Sequence, residues 1–250
     1  MANEKAVEKV VAADGTVIHA VTPAGLKVFR KAVDARYIQT VDNLAYRDGT
    51  VKDALDELLY EPVKITSFTS SVGNVEKGVT VTDVVLKWAL AGSPTTVTLN
   101  DEAQANDSTG KTLSKQTITA NTTYTLKASD GKTNDTKSAY ISFKNKRYWG
   151  VGKPANADAV DSAFVLALGG NELADKGSKS FTVTSDEGNF IFYAIPESWG
   201  DPRFFVGGFE GGFTLYKTFD FTNASGYTES YNVYKSNNAD LGNTTVDTKY

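Results

Sequence analysis

The stretch "VTVTDVVLKWAL", residues 79–90, carries the strongest fold signal in the chain. It begins with apolar and polar residues in alternation, and Trp88 lies inside the apolar strand that follows, a composition typical of β-structure. Further along, "TTYTLKASDGK" alternates in the same way through Tyr124 and Leu126 before an Asp-Gly turn. The segments "VKITSFT", "TTVTL" and "SAYISFKN" share this period of two. Together these patterns predict short strands joined by turns over residues 62–147.

The order of Trp88, Tyr124 and Leu126 resembles the immunoglobulin fold. In that fold a buried tryptophan packs against a later strand, which carries a tyrosine two residues before a disulfide-bonded cysteine. Leu126 stands where that cysteine would be, and the chain contains no cysteine. We therefore expect an immunoglobulin-like β-sandwich over residues 62–147, with Trp88, Tyr124 and Leu126 in its core.

The chain contains 13 Phe, 12 Tyr and 3 Trp, and 19 of these aromatic residues lie in residues 148–250. So much ring surface must be either buried or presented to a partner, because aromatic side chains are large and mostly apolar. The segments "KSFTVTS", "NFIFYAIP", "RFFVGGF", "FTLYKTFDF" and "YTESYNVYKS" have the composition of strands. They predict a second β-sandwich, aromatic-rich and jelly-roll-like, over residues 148–250.

The strand "FIFYAIP", residues 190–196, is apolar in both of its alternating sets. A strand at the surface of an isolated sandwich normally has one polar face. Two interpretations follow. Either the strand lies centrally and is covered on both faces within the chain, or its second face contacts another chain.

Residues 1–61 hold the predicted helical content. The segment "DGTVKDALDELLYEP", residues 48–62, is a short amphipathic helix that Thr50 can cap and Pro62 terminates. A helix of about ten residues is marginal in isolation, because its nucleation cost is spread over few hydrogen bonds. It therefore needs a packing partner for its apolar face, which is formed by Val51, Leu55 and Leu58.

Composition argues against several classes of partner. The net charge is −4 and the charges are interspersed, so no basic stripe is available to bind nucleic acid. There is no run of about 18 apolar residues, so we expect no membrane insertion. The first residues are charged where a signal peptide needs an apolar core, so we expect synthesis in a cytoplasm without such export.

The residue inventory also argues against an enzyme. His19 is the only histidine and cysteine is absent, so histidine-rich metal sites, cysteine-zinc sites and thiol nucleophiles are excluded. A pair of carboxylates of the glycosidase kind is allowed by number, with Glu210, Asp220 and Glu229 as candidates, but nothing singles out two of them. We expect no catalytic residues, no cofactor and no metal.

The glycine-rich segment "VGGFEGGF", residues 206–213, lacks the Lys-Ser/Thr and the following helix of a phosphate-binding loop. It predicts a tight hairpin between "RFFV" and "FTLYK". Exposed rings in this region could stack on sugar rings or contact another chain. The candidates for a glycan or trimer contact are Trp199, Phe204, Phe205, Phe209, Tyr227 and Tyr231.

Several segments together resemble structural proteins of tailed bacteriophages, of the fibre, head-fibre or baseplate-appendage kind. They are "GTVKDALDELLYEPVKITSFTSSVG", "VLKWAL", "YTLKASDG", "RYWGVG" and, most strongly, "GGFTLYKTFDFTNASGYTESYNVYKSNNADLGNTTV" near the C-terminus. The resemblance covers roughly residues 49–250. It brings no catalytic motif and implies only an architecture and a role.

The resemblance implies a non-enzymatic virion protein, made in the host cytoplasm, that adheres to the host surface. Phage fibres are commonly trimers, so the short helix would pack with two copies of itself around a three-fold axis. The aromatic-rich domain, residues 148–250, would then be the main contact between the three copies and a possible receptor contact. The alternative is that the helix folds back on its own N-terminal segment through Leu26 and Phe29. The expected partners are a homotrimer, other capsid or tail proteins through residues 1–61, and a host surface glycan. The alternative function is a carbohydrate-binding β-sandwich module of a surface protein.

Overall fold

The computed structural model describes residues 9–11, 17–19 and 59–250. The chain divides into two compact units, Met1–Pro62 and Val63–Tyr250. In the first unit, strands β1 (Lys9–Val11) and β2 (Val17–His19) form an antiparallel pair. The predicted stem positions Val51, Leu55 and Leu58 lie outside the described residues.

The second unit is built almost entirely of strands, which confirms the predicted mainly β fold. Its first part contains β3 (Lys64–Ser70), β4 (Asn74–Glu76), β5 (Val84–Ala91), β6 (Thr96–Leu99), β7 (Glu102–Gln104), β8 (Gly110–Leu113) and β9 (Thr122–Ser129). One long strand follows, β10 (Asn134–Gly152).

The remainder continues with short strands and little helix. The strands are β11 (Gly170–Ala174), β12 (Lys179–Ser185), β13 (Phe190–Pro196), β14 (Arg203–Val206), β15 (Phe209–Glu210), β16 (Phe213–Thr222), β17 (Thr228–Ser236) and β18 (Gly242–Lys249). A short helix, α1 (Ser162–Leu166), begins where the Asp161 carboxylate accepts a hydrogen bond from the Phe164 N–H. A single 3-10 turn spans Glu197–Trp199.

The first sandwich is immunoglobulin-like in its strand order. Strands β3, β5 and β8 form one sheet, and β7, β6, β9 and the first half of β10 form the other. Read in chain order, the two sheets match the A-B-E and C-F-G sets of an immunoglobulin domain. Strand β4 pairs in parallel with β10. The sequence prediction of an immunoglobulin-like sandwich is confirmed.

Trp88 occupies a different strand from the tryptophan of an immunoglobulin domain. That tryptophan lies on the third strand, in the same sheet as the tyrosine-bearing strand. Here β6 holds the third position and contributes Val97 and Leu99 to the core, whereas Trp88 lies on β5 in the opposite sheet. Trp88 and Leu126 are buried in one core. With no disulfide between the sheets, these large side chains fill the space between them.

Strand β10 runs through both sandwiches without a break. Its residues 134–141 pair with β9, and its residues 148–152 pair with β13. At 19 residues it is far longer than a typical strand of five or six. The predicted domain boundary after residue 147 falls inside it. The two sandwiches are therefore joined by a hydrogen-bonded strand and not by a linker.

In the second sandwich, a large sheet runs in the order β16, β17, β13 and β10, with β11 also paired to β10. One face packs against the sheet β12, β18, β14 and β15, around a core that includes Phe181, Tyr193 and Val246. The opposite face is covered by α1 and its flanking loop, through Val160 and Val165.

This arrangement decides between the two interpretations of β13. Phe192 and Ala194 point into the core beneath α1, and Ile191, Tyr193 and Ile195 point into the core between the sheets. All five side chains are buried within the chain. The strand is central and covered on both faces, so it has no second face free for another chain.

We expect Leu126→Ala to lower the free energy of unfolding by about 2–5 kcal/mol, because it removes a fully buried side chain and leaves a cavity in the first core. Leu215→Ala is the matched control, since Leu215 is 51% exposed and its truncation should stay within about 0.5 kcal/mol. Urea unfolding monitored by tryptophan fluorescence measures both. Equal effects of the two substitutions would contradict this description of the core.

Candidate contact surfaces

Half of the aromatic residues predicted to contact a glycan or a second chain lie in the cores instead. Trp199 and Phe204 are buried between the two sheets of the second sandwich. Tyr231 is buried on the other face of the large sheet. Successive side chains on a strand point to opposite faces of the sheet. Because Phe204 points into the core, Phe205 beside it points outward. These three rings stabilise the fold and are not available to a ligand.

The other three predicted rings are exposed, but they lie on separate surfaces. Phe205 is partly exposed on the outer face of β14. Phe209 is 82% exposed and pairs directly with Val206, so it lies on the opposite side of the sheet from Phe205. Tyr227 is 36% exposed in the turn after β16, at the far end of that strand from Phe209. The structure therefore contains no single platform made of the predicted rings.

The glycine-rich segment forms turns, but not the predicted hairpin between "RFFV" and "FTLYK". Gly207 and Gly208 have φ of 57° and 90° and connect β14 to the two-residue strand β15. Positive φ at both positions of a two-residue turn is favoured by glycine, and Asn and Asp also adopt it, as Asn100 and Asp101 do in this chain. Gly211 and Gly212, also at positive φ, then carry the chain into β16, which belongs to the other sheet of the sandwich.

The most extensive polar contact joins the two sandwiches, and we call it the junction. Its centre is Glu76, a buried carboxylate on β4. Glu76 Oε1 accepts a hydrogen bond from the Tyr148 hydroxyl at 3.2 Å, and its Oε2 lies 2.9 Å from Lys146 Nζ. The Tyr231 hydroxyl donates to the Lys146 carbonyl oxygen at 2.7 Å. Residues from both sandwiches thus satisfy one another's buried polar groups.

A second set of contacts extends the junction to the turn between β16 and β17. Lys77 Nζ lies 3.0 Å from Glu229 Oε2, and the Lys77 carbonyl accepts a hydrogen bond from Asn223 Nδ2 at 2.8 Å. Lys77 Nζ also lies 5.3 Å from the centroid of the Tyr227 ring. Gly78 leaves room for this turn, because a Cβ there would lie 2.7 Å from Tyr227 Cβ. Tyr227 is therefore part of the junction.

Burial sets the electrostatics of the junction. It raises the pKa of the Tyr148 hydroxyl well above its usual value, and the neighbouring Glu76 carboxylate adds to the effect. The pKa of Tyr231 is raised still further, again mainly by burial. For Lys77, burial lowers the pKa, but the hydrogen bond and charge of Glu229 outweigh it, so the net pKa is raised. The tyrosines are neutral and Lys77 is charged throughout the physiological range.

Sequence reasoning missed the junction because its partners are far apart along the chain. Tyr148 and Glu76 are separated by 72 positions, and Asn223 and Lys77 by 146. No local pattern marks Glu76 as a buried residue. The only available signal was the "RYWGVG" segment, which starts at Arg147 and contains Tyr148.

The described residues contain no group of three or more His, Cys, Asp or Glu side chains that could hold a metal ion. The carboxylates considered as a catalytic pair are engaged separately. Glu229 is paired with Lys77, and Glu210 lies 3.6 Å from Arg203 near the other end of β16. Within the described part of the chain, no helix has the length and apolar character needed to cross a membrane.

Comparison with known proteins gives only distant structural likenesses. No protein-family model matches the chain, and no curated protein matches it. Among solved structures it is similar to a chimeric titin Z1Z2 carrying a decorin peptide, at 13% identity and a TM-score of 0.26, over 76% of this chain and 91% of that one. It is also similar to Dpr2 Ig1-Ig2 in complex with DIP-Theta Ig1-Ig3, at 13% identity and a TM-score of 0.29, over 96% and 87% of the two chains.

The N-terminal eight Ig domains of DSCAM give a further likeness, at 9% identity and a TM-score of 0.23, over 74% of this chain and 27% of that one. Identities and TM-scores this low carry no inference about function. The immunoglobulin-like description of the first sandwich stands on its own strand order and core.

We expect Glu76→Gln to lower the free energy of unfolding by about 1–3 kcal/mol, because it removes a buried charge-assisted contact with Lys146 and weakens the one with Tyr148. Glu102→Gln is the matched control. Its carboxylate is also paired with a lysine, Lys111, but is largely exposed, so the unfolding midpoint should not move measurably. Chemical unfolding at pH 7 distinguishes the two, and equal midpoints for the variants would contradict a structural role for the junction.

Alkaline pH should destabilise the protein through its buried tyrosines. A phenol whose pKa is raised by folding stabilises the native state fully below the unfolded pKa of about 10, and this contribution is lost as pH rises toward the folded pKa. Above pH 10 each such phenol should lower the free energy of unfolding by up to about 1.4 kcal/mol per pH unit.

Denaturant unfolding between pH 9 and pH 12 measures this slope. Tyr231→Phe should make it shallower by one phenol's contribution, at the cost of the hydrogen bond to Lys146. Leu215→Ala, at an exposed side chain with no ionisable group, should leave the slope as it is in the unsubstituted protein. A slope that Tyr231→Phe does not change would show that this hydroxyl ionises in the native state.

Proposed function

We propose that the chain is a non-catalytic structural module of a virion appendage of the tailed-phage kind, in which the paired sandwiches form a stiff spacer for adhesion. The observation that supports this most is β10, a 19-residue strand shared by both sandwiches. Bending between the sandwiches would break its ladder and the buried contacts of Glu76. A spacer that must hold an adhesive surface away from a particle benefits from such stiffness.

In this proposal the chain forms a trimer, and the contacts between its copies are made by residues 1–61 alone. The C-terminal rings were the main expected contact between copies, and three of the six are core residues, as are both faces of β13. The proposed contact is therefore the amphipathic segment with Val51, Leu55 and Leu58. Three linked copies would raise the avidity of a weak adhesive site well above that of one copy.

A carbohydrate-binding module of a surface protein is the second candidate. The observation that favours it is the partly exposed Phe205 ring on a polar sheet face, with Lys249 Nζ at 4.6 Å and the Arg203 guanidinium carbon at 5.7 Å from its centroid. The two candidates differ in whether the chain is assembled into a particle.

Stiffness can be measured with two spin labels, because the chain has no cysteine and two introduced ones label specifically. Thr69→Cys on β3 and Thr184→Cys on β12 place exposed labels on the two sandwiches. Pulsed electron–electron double resonance on the full chain should give one narrow distribution of distances between the two labels. Glu76→Ala should broaden it, and Glu102→Ala should not. A broad distribution in the unsubstituted protein would contradict a stiff spacer.

The assembly is tested by light scattering and by mass spectrometry of purified particles. The full chain should have three times its 26.9 kDa mass and should be found in virions. Leu55→Asp should give monomers, whereas Leu59→Asp, at a described residue with an exposed side chain, should keep the trimer. A monomeric protein that is absent from particles would overturn the virion proposal in favour of the surface module.

A further inference from the structure

The outer face of the sheet formed by β12, β18, β14 and β15 combines several groups that recognise one class of ligand. Strand pairing places Ser180 opposite Asp247, Asp247 opposite Phe205, and Phe205 opposite Glu210. These four side chains form a row across the sheet. They point away from the core, because their strand neighbours such as Phe204 are buried.

Phe205 is the apolar centre of this row. Its ring is partly exposed. Arg203, two residues earlier on the same strand β14, and Lys249, on the neighbouring strand β18, direct their cationic groups toward it. The face of an aromatic ring carries negative partial charge, so it attracts cations and also the positively polarised C–H groups of a sugar ring. The two cations hold the Phe205 side chain in place on the sheet.

Asp247 is the member of the row that points most directly to a ligand. Its side chain is partly buried on a central strand, yet no described residue gives its carboxylate a hydrogen bond or an ion pair. The two nearby cations are directed at the Phe205 ring. An unpaired carboxylate in such a position keeps its full capacity to accept hydrogen bonds from a ligand.

Hydroxyl and amide side chains fill the rest of the face. Thr182 and Thr245 lie opposite one another with their hydroxyl oxygens 3.0 Å apart, and the next pair is Thr184 and Asn243. The row from Ser180 to Glu210 crosses three gaps of about 4.8 Å between strands, or about 14 Å in all. This length accommodates an extended chain of several sugar rings.

The charges near the ring balance, with Arg203 and Lys249 against Asp247 and Glu210. A balanced face neither attracts a strongly anionic polymer nor repels a neutral one. We propose that this face binds an uncharged, extended oligosaccharide, with Phe205 stacking on a sugar ring and Asp247 accepting hydrogen bonds from its hydroxyl groups. The proposal rests on the adhesive role proposed above and assigns that role to one surface.

The test is ligand-observed NMR on the full chain with cellohexaose, mannohexaose and maltohexaose, and with polygalacturonate as the anionic comparison. At least one neutral hexasaccharide should bind with a dissociation constant on the order of 1 mM or below. Phe205→Ala and Asp247→Asn should each weaken binding roughly tenfold, since each removes one of the two specific contacts.

Phe209→Ala is the matched control, because Phe209 is a more exposed ring on the opposite side of the sheet. It should leave binding unchanged, and circular dichroism should show all three variants folded. The proposal is overturned if none of the neutral sugars binds, if only polygalacturonate binds, or if Phe209→Ala weakens binding and Phe205→Ala does not. None of these results would alter the mass of the assembly, so a failure here is distinguishable from a failure of the virion proposal.

Discussion

The structure of residues 63–250 depends on one constraint, that the backbone groups of a single strand must be paired along its whole length. Strand β10 is 19 residues long and passes from one sandwich into the other. Each half has its own neighbours, β9 in the first sandwich and β13 in the second, and β4 bridges the change of partner in parallel. An unpaired buried N–H or carbonyl is costly, so neither sandwich can shift along or away from this strand without a penalty.

The junction places a buried carboxylate, Glu76, beside the part of β10 where pairing with β9 ends and pairing with β13 begins. Burying a carboxylate is unfavourable unless it is paired and hydrogen-bonded, and Glu76 obtains both from residues on β10 itself, Lys146 and Tyr148. Such contacts add less to net stability than to specificity, because their desolvation offsets much of their attraction. Their consequence here is a defined relation between the two sandwiches, as the proposed spacer role would require.

The same alternation along strands separates the aromatic residues by role. It buries Phe204 and exposes Phe205, and it covers β13 on both faces because that strand lies between two cores. The rings therefore stabilise a second domain that is complete within one chain. Among the described residues, a small number of rings is left at the surface, and Phe205 is the one on which the proposed binding face is centred.

The sequence by itself determined the mainly β fold, the immunoglobulin-like character of the first sandwich and the burial of Leu126, because these follow from the two-residue period and from local turn chemistry. It also identified β13 as two-faced. Only the tertiary structure decided that Trp88 lies in the sheet opposite the strand that carries Tyr124 and Leu126, that Glu76 is buried, and which of the C-terminal rings reach the surface. Those outcomes depend on contacts between separate strands, in the case of Glu76 on a hydrogen bond from Tyr148 across 72 positions. A local pattern carries no information about which other strand will supply the partner.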